Sequence, residues 1–345
     1  MKLITQIARP KRIEDVAGQE LAKQALLSIA KKPYDSPRVI ILHGTYGVGK
    51  TSLARAFARA LNCQNQNNGD ACGKCYTCSI NIEDTEFYEE YDSSIIGNVE
   101  DIKKLREFFN FNSDQGYRVI TIDEAHLLSR QAQSSLLKVF EEVNSRVFFI
   151  LCTTEKDKLL STIQSRSMDI RLNKVPDSCI RDNLKKVAED NSITIDDKSI
   201  DLIVSKCEGH LRDAHILLQN YMILDEDSFK KLVGTARKSF LGFYICCYLG
   251  DLGRSQQFLG ELIKYPLSDL KRDYEALLLE IMECSVSVKE PKDELMRELM
   301  KLMKQKVLNL YYIMVDPIII NSFDNSDRFQ AAQYDIYLKI NQKMR

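Results

Sequence analysis

A glycine-rich segment near the N-terminus has the residue types that bind phosphate. Residues 44–51 read Gly-Thr-Tyr-Gly-Val-Gly-Lys-Thr and match the pattern G-x-x-x-x-G-K-[ST]. An apolar run at residues 38–43 precedes it, and the strongly helix-forming residues 52–61 follow. Glycines let the backbone approach a phosphate, and free N–H groups and the helix dipole attract it. The pattern predicts a nucleotide-binding loop formed by Gly44, Thr45, Tyr46, Gly47, Val48, Gly49, Lys50, Thr51 and Ser52.

A second segment supplies the acids that such a loop requires for catalysis. Residues 117–126 read as an apolar strand that ends in Asp123 and Glu124. In this pattern Lys50 reaches the β- and γ-phosphates, and Thr51 ligates Mg²⁺. We expect Asp123 to hold the same Mg²⁺ and Glu124 to act as the general base for an attacking water. Downstream of a phosphate-binding loop, this reading is preferred to a strand followed by an acidic helix cap.

Four of the ten cysteines lie close together in the sequence. Cys63, Cys72, Cys75 and Cys78 form two overlapping C-x-x-C steps with one further cysteine nine positions upstream. Four thiolates in one loop suit a tetrahedral structural Zn²⁺, which would order a polar segment that has no core of its own. A redox or disulfide role and unligated thiols are the alternatives. The other six are expected to be buried thiols: Cys152, Cys179, Cys207, Cys246, Cys247 and Cys284.

Length, net charge and apolar runs constrain the cellular location of the protein and its attraction to nucleic acid. The 345 residues suffice for two or three domains, and the net charge of −1 gives no global field that would attract nucleic acid. No apolar run approaches the ~18 residues of a membrane span, and the N-terminus lacks the apolar region of a signal peptide. We therefore expect a cytoplasmic protein without membrane contact, in which any DNA site is a local patch.

The order of elements predicts an α/β fold followed by helices. Apolar strands at about 85–92 and 146–154 join the two strands above, and they alternate with helices at 20–31, 98–109 and 129–143. This alternation predicts a parallel sheet with helices on both faces. After Leu172 the pattern changes to helices at 177–190, 197–207 and 211–224, and only helical periodicity follows from about residue 239.

The motifs together resemble those of the gamma/tau ATPase subunits of bacterial DNA polymerase III clamp loaders, which are AAA+ proteins. The matching segments, in order, are ARPKRIEDVAGQE, HGTYGVGKTSLARAFARALNC, CGKCYTC, TIDEAHLLSRQAQSSLLKVFEE, FFILCTTEKDKLLSTIQSRS and GHLRDAHILL. The resemblance covers about residues 8–220. It implies an AAA+ domain over 1–174 with a zinc module at 63–78, a helical lid at 175–236 and a helical collar at 237–345.

The resemblance also implies roles for single residues. Thr154 corresponds to the sensor 1 polar group, with Thr153 as the neighbouring alternative. Arg166 corresponds to an arginine finger that acts in trans on the ATP of a neighbouring subunit, a contribution of ~10³–10⁵ in rate. Arg212 corresponds to sensor 2. Arg9 and Val16 belong to the family's segment near the adenine.

For the whole protein, the resemblance implies a motor subunit in an assembly of five. The partners would be other clamp loader subunits, a sliding clamp and primer-template DNA, with ATP, Mg²⁺ and Zn²⁺ as cofactors. DNA contacts would go to phosphates, and Arg130, Lys103 and Lys138 are the candidates.

Some positions depart from the family pattern. Ser165-Arg166-Ser167 replaces Ser-Arg-Cys, Val143-Asn144 replaces a proline pair, and Ala8 replaces a tyrosine. The chain also ends without the long tail of the tau form. These departures predict a divergent or phage-encoded member. A delta-prime-like structural subunit and another AAA+ machine are the alternatives; the intact Lys50 argues against the first, and the four-cysteine insert argues against the second.

Overall fold

The computed structural model describes residues 3–94, 116–142, 146–225, 229, 237–285, 294–303, 310, 314, 319 and 321–343. The chain divides into two compact units, Met1–Val233 and Gly234–Arg345. The finer division at residue 174 between a nucleotide-binding domain and a lid stays a prediction. The helix expected at 98–109 lies outside the described residues.

A five-stranded parallel sheet forms the centre of the first unit. Its strands are β1 (Val39–His43), β2 (Tyr88–Asp92), β3 (Arg118–Asp123), β4 (Val147–Thr153) and β5 (Met168–Arg171). Their order across the sheet is β2-β3-β4-β1-β5, and every pair is parallel. All seven residues of β4 are buried, as expected of a central parallel strand covered on both faces.

Two hydrophobic cores cover the two faces of the sheet. Because side chains alternate along a strand, Ile40 and Leu42 face one core, whereas Val39 and Ile41 face the other. Helix α3 (Lys50–Leu61) packs in the first core and α5 (Arg130–Glu142) in the second. The other helices beside the sheet include α2 (Glu20–Lys31), α4 (Tyr76–Ser79) and α6 (Ser161–Gln164), whereas α1 (Ile4–Ile7) packs with the helices that follow the sheet.

The parallel arrangement brings the functional segments to one edge of the sheet. His43 at the end of β1 pairs with Thr153 at the end of β4, and Asp92 at the end of β2 pairs with Asp123 at the end of β3. Carboxyl ends of parallel strands are the usual place for ligands in such folds. The glycine-rich loop and the two acids therefore lie at the same edge of the sheet.

Three helices follow the sheet and close over a separate core. They are α7 (Asp177–Asp190), α8 (Asp197–Cys207) and α9 (Leu211–Ile223). The buried residues Ile180, Leu184, Ile203 and Leu218 form this core together with Ile4 from the N-terminus. The backbone N–H of Ile4 also donates to Gln219 Oε1 at 2.8 Å, so the start of the chain is fastened to α9.

The second unit is helical in its described residues. It contains α10 (Arg237–Leu249), α11 (Leu252–Leu262), α12 (Leu267–Ser285), α13 (Glu294–Met303) and α14 (Ser326–Lys343). Phe240 on α10 makes ring contacts with Tyr244, Tyr274 and Phe329, and these rings belong to one buried cluster. Among the described residues, no helix is long and apolar enough to span a membrane.

Replacing the N-cap of α8 should destabilise the first unit. The Asp196 side chain accepts hydrogen bonds from Ser199 N at 2.9 Å and Ser199 Oγ at 2.8 Å. We expect Asp196→Ala to lower the free energy of unfolding by about 1 kcal/mol in urea titrations. Asp197→Ala is the matched control, because it removes only an exposed ion pair with Lys185. Equal stability of the two variants would contradict the capping role.

The same cap should make stability depend on pH in a defined direction. The backbone hydrogen bond from Ser199 lowers the pKa of Asp196 below its usual value. A lowered pKa in the folded state means that the contribution is present above the pKa of the unfolded chain. It is lost as the pH falls through the folded-state pKa, so the difference in stability between wild type and Asp196→Ala should shrink in acid.

Candidate functional site

The glycine-rich loop leaves β1 and enters α3 in a geometry that only glycine tolerates at two positions. A Cβ on Gly44 would lie 2.4 Å from the carbonyl oxygen of Leu172, so the backbone passes too closely for any side chain. Gly49 precedes α3 with φ of 103°, in the left-handed region. The loop therefore wraps around the N-terminus of α3, where free N–H groups attract an anion.

Lys50 points back into this loop. Its Nζ donates to the carbonyl oxygens of Gly44 at 2.9 Å and Thr45 at 3.0 Å, and the residue is only 7% exposed. These two acceptors compensate the buried ammonium group. A phosphate bound in the loop would meet this charge together with the N-terminus of α3.

The predicted Mg²⁺ ligands are in contact with each other. Thr51 Oγ1 donates to Asp123 Oδ2 at 3.0 Å, although the two residues are 72 positions apart in the chain. A hydroxyl and a carboxylate oxygen are the hard ligands that Mg²⁺ prefers, so this pair fits the expected ion. Asp123 Oδ1 accepts from the N–H of Glu124, and Glu124 has left-handed backbone angles, with φ of 49°. The turn after β3 thus gives the Glu124 side chain a direction different from that of Asp123.

His126 connects Glu124 to the neighbouring strand. Its Nδ1 lies 3.1 Å from Thr153 Oγ1 and 3.5 Å from Glu124 Oε2, and its Nε2 lies 3.5 Å from Glu155 Oε1. Thr153 Oγ1 accepts from the N–H of Glu155, and His126 Nδ1 contacts the same hydroxyl oxygen. A chain of polar groups therefore runs from the end of β4 to Glu124.

The two candidate sensor 1 threonines have different surroundings. Thr153 is fully buried and bonds to His126, whereas Thr154 is exposed. Neither residue is among the described residues that line the cavity at the phosphate-binding loop. The contacts favour Thr153, the alternative, over Thr154 as the group that communicates with Glu124, and the assignment stays a prediction.

A cavity of about 340 Å³ lies between the loop, the N-terminal segment and the three helices that follow the sheet. On its phosphate side it is lined by Tyr46, Gly47, Val48, Gly49, Lys50, Thr51, Ser52, Asp123 and Glu124. Arg9 and Val16, the two residues expected near the adenine, line it as well, beside the apolar Ala8, Pro10, Ala17 and Leu211. The cavity therefore combines the phosphate-binding loop and the acids with a few apolar side chains of the N-terminal segment and α9.

The expected sensor 2 residue reaches this cavity from α9. The Arg212 guanidinium lies 5.1 Å from the ring centre of Tyr46, a cation–π contact, and lines the cavity. His210 Nδ1 lies 2.6 Å from the carbonyl oxygen of Tyr46, so two residues of this helix start contact the phosphate-binding loop. The helices after the sheet are thereby connected to the loop on its open side.

Other residues at the cavity were not identified from the sequence. His215 Nε2 lies 2.7 Å from Asn183 Oδ1, and burial lowers the pKa of His215 to about 4, so the imidazole is neutral at pH 7. Gln19 Nε2 donates to the carbonyl oxygens of Val48 and Asn173. Gln19 and His215 lie in segments that carry the resemblance, but their contacts are set by residues distant in the chain.

The predicted arginine finger lies away from this cavity. Arg166 is half exposed, and its Nη2 lies 3.6 Å from Glu141 Oε1. It lines a different surface depression beside Ser36 and Met168. Of the candidate DNA contacts, Arg130 and Lys138 lie on α5, where Arg130 is exposed, and Lys103 lies outside the described residues.

The four clustered cysteines converge in space. Their Sγ atoms all lie within 4.8 Å of one another, and the pairs Cys63–Cys78, Cys63–Cys75 and Cys72–Cys78 are 3.7, 3.9 and 3.9 Å apart. Sulfur ligands about 2.3 Å from a tetrahedral Zn²⁺ are separated by about 3.8 Å, whereas a disulfide is about 2 Å long. Hydrogen bonds from the N–H groups of Lys74 and Cys75 lower the pKa of Cys72 to about 6, whereas burial raises the pKa of Cys63 and of Cys78, so the fit to Zn²⁺ rests on the sulfur–sulfur distances. The cluster therefore fits a structural Zn²⁺.

The remaining cysteines are dispersed. Five of the six are buried, as expected, whereas Cys179 is partly exposed.

Comparison with solved structures identifies the fold. A single-residue variant of RuvB from Thermotoga maritima matches with a TM-score of 0.51 at 18% identity, over 68% of this chain and 78% of that chain. A second variant of the same protein gives a TM-score of 0.52 at the same identity and over the same shares. At this identity the likeness concerns the fold alone. Together with the parallel sheet and the helices that follow, it confirms the predicted AAA+ P-loop domain followed by helical regions.

Comparison with curated sequences identifies relatives of several lengths. The chain is 34% identical over 229 residues to protein STICHEL of Arabidopsis thaliana, covering 65% of this chain and 19% of that protein. It is 32% identical over 255 residues to DNA polymerase III subunit tau of Bacillus subtilis, covering 72% of this chain and 44% of that protein. This chain therefore spans less than half of either relative.

A shorter relative is matched over most of its length. DNA polymerase III subunit gamma of Buchnera aphidicola is 31% identical over 287 residues, which cover 80% of this chain and 75% of that protein. The family described as DNA polymerase III, delta subunit, matches residues 18–176. With the site geometry and these matches, the chain belongs to the gamma/tau family of DNA polymerase III subunits.

Proposed function

We propose that the chain is an ATP-hydrolysing motor subunit of a sliding-clamp loader. The observation that carries the proposal is the convergence of Lys50, Thr51, Asp123 and Glu124 on one cavity. Membership of the gamma/tau family supports the clamp-loader setting. Its proposed place is the cytoplasm of a bacterial or phage-infected cell.

The proposed chemistry is attack of water on the γ-phosphorus of ATP, which breaks the bond to the β–γ bridging oxygen and releases ADP and inorganic phosphate. Lys50 and the N–H groups of the loop bind the phosphates, and Thr51 and Asp123 would hold Mg²⁺, which supplies positive charge at the phosphate oxygens. Glu124 accepts the proton of the attacking water. The polar chain through His126 and Thr153 holds the Glu124 carboxylate in place.

In this proposal, ATP binding and hydrolysis drive clamp loading through contacts between neighbouring subunits. Arg212 on the helical side would read the bound nucleotide in cis. Arg166 would complete the site of a neighbour in an assembly proposed to contain five subunits, and its exposure away from its own cavity supports a role in trans. ATP binding would open the sliding clamp, and hydrolysis on primer-template DNA would release it, with Arg130, Lys138 and Lys103 as candidate phosphate contacts.

Two alternatives to a motor subunit are a delta-prime-like structural subunit and another DNA-associated AAA+ ATPase. The family description that matches residues 18–176 names a delta subunit, which favours a delta-prime-like structural role. The complete set of Lys50, Thr51, Asp123 and Glu124 argues against it, because a subunit without turnover does not require the general base. Another DNA-associated AAA+ ATPase is less favoured, because the structural likeness to RuvB concerns the fold alone.

Two substitutions should separate nucleotide binding from hydrolysis. Lys50→Ala removes the charge that contacts the phosphates and should abolish ATP binding in equilibrium titrations. Glu124→Gln keeps the shape of the side chain but removes the base, so binding should persist while turnover falls by ~10²–10⁴. The exposed Glu142→Gln on α5 is the control and should change neither. Full turnover in Glu124→Gln would exclude this residue as the base.

Arg166→Ala should affect the assembly and not the single chain. Because the guanidinium lies outside its own cavity, ATP affinity of the isolated variant should equal that of wild type. Steady-state hydrolysis in the complete complex with clamp and primed DNA should fall by ~10³ or more. Lys198→Ala, which removes an exposed cation on α8, serves as the control. Unchanged turnover in the complex would refute the finger assignment.

Zinc content tests the four-cysteine site. Elemental analysis of protein purified without chelator should find about one Zn²⁺ per chain. Cys72→Ser and Cys78→Ser should each lose most of this metal, whereas Cys179→Ser should retain it. Protein that is folded, reduced and free of metal under these conditions would contradict the assignment.

A further inference from the structure

The cysteine loop contains a buried acid whose side chain also bonds to the backbone of the N-terminal segment. Asp70 is two residues before Cys72, is fully buried, and belongs to a small turn in which Asn67 and Asp70 exchange backbone hydrogen bonds of 3.0 and 2.9 Å. Asp70 Oδ1 accepts from the N–H of Ile13 at 2.9 Å, and Oδ2 accepts from the N–H of Glu14 at 3.1 Å. A residue of the cysteine loop therefore fastens the backbone of the N-terminal segment.

The fastened segment forms the base side of the nucleotide cavity. Asp15, Val16 and Ala17, which follow directly after Glu14, line that cavity. Val16 is buried, and its Cγ1 lies 3.6 Å from the position that a Cβ of Gly49 would occupy. A displacement of Ile13 and Glu14 would thus move the wall against which the base packs.

Two further contacts make the cysteine loop a fixed support. Arg59, on the phosphate-binding helix α3, is 6% exposed and donates through Nη1 to the carbonyl oxygens of Thr77, Cys78 and Ile80 at 3.1, 3.1 and 2.7 Å. A Cβ on Gly69 would lie 2.5 Å from the carbonyl oxygen of Leu27, so the turn beside Asp70 lies directly against α2. The loop is thereby held against both α2 and α3.

We propose that the zinc module positions the base-binding wall of the nucleotide site through Asp70, so that metal binding and ATP binding are thermodynamically coupled. Asp70 is a positioning residue in this inference, because it contacts the wall and not the nucleotide. The inference rests on the proposed ATP site and on the fit of the four thiols to Zn²⁺. It predicts that the metal affects recognition of the base and leaves the phosphate-binding loop intact.

Removing zinc from the wild-type protein is the first test. ATP should bind at least about fivefold more weakly after chelation and should recover its affinity when zinc is returned. Inorganic tripolyphosphate, which has no base, should bind the phosphate loop with unchanged affinity. By linkage, ATP should strengthen zinc binding, measured against a chromophoric chelator, by the same factor in affinity.

Substitution of the positioning residue is the second test. Asp70→Asn keeps one carbonyl oxygen for Ile13 but turns an amide group towards the N–H of Glu14, so the wall should loosen while the zinc ligands remain. With zinc fully bound, this variant should lose ATP affinity by a factor similar to that caused by zinc removal. Its affinity for tripolyphosphate should not fall. Asp84→Asn is the matched control, because Asp84 is an exposed acid just beyond the module that accepts from Asn81.

The outcomes separate this inference from the proposed function. Equal ATP affinity with and without zinc, in protein whose circular dichroism and unfolding show it to be folded, would overturn the coupling and leave the ATPase proposal intact. Parallel loss of ATP and tripolyphosphate binding would also overturn it, because the metal would then be supporting the whole domain. Failure of the zinc-loaded wild type to bind ATP would instead refute the proposed function.

Discussion

The parallel pairing of β1, β3 and β4 is the constraint on which the candidate site depends. Parallel strands end at the same edge, so the glycine loop after β1 and the acids after β3 meet although 72 residues separate Thr51 from Asp123. The pairing is stable because residues of β1 and β4 alternate between two buried cores. Any change of register would move these ends relative to one another and separate the hydroxyl from the carboxylate.

The charged groups Lys50 and Asp123 have hydrogen-bond partners within the protein. Lys50 is satisfied by two carbonyl oxygens of its own loop, and Asp123 accepts from Thr51 and from the N–H of Glu124. Such mutual satisfaction keeps buried charges from destabilising the fold.

The residues of the proposed reaction come from several separate parts of the fold. The phosphate loop and acids belong to the sheet, Arg212 comes from the helices that follow it, and Arg166 lies away from its own cavity. Arg212 lies within contact distance of Tyr46 in the loop, which connects the helical side to the phosphate side. The proposed zinc module adds a support on the base side through Asp70.

The sequence by itself identified the glycine-rich loop, the two acids and the four cysteines as candidate site residues, because each pattern depends on local spacing. It also determined most element positions: α2, α7 and α8 have the predicted bounds, and β2 starts three residues after its predicted start. Only the tertiary structure decided that Thr153 and not Thr154 contacts His126, since one residue of difference in a strand reverses the direction of the side chain. It alone joined Asn183 to His215 and Asp70 to Ile13, because these contacts connect residues distant in the chain whose types carry no signal of pairing.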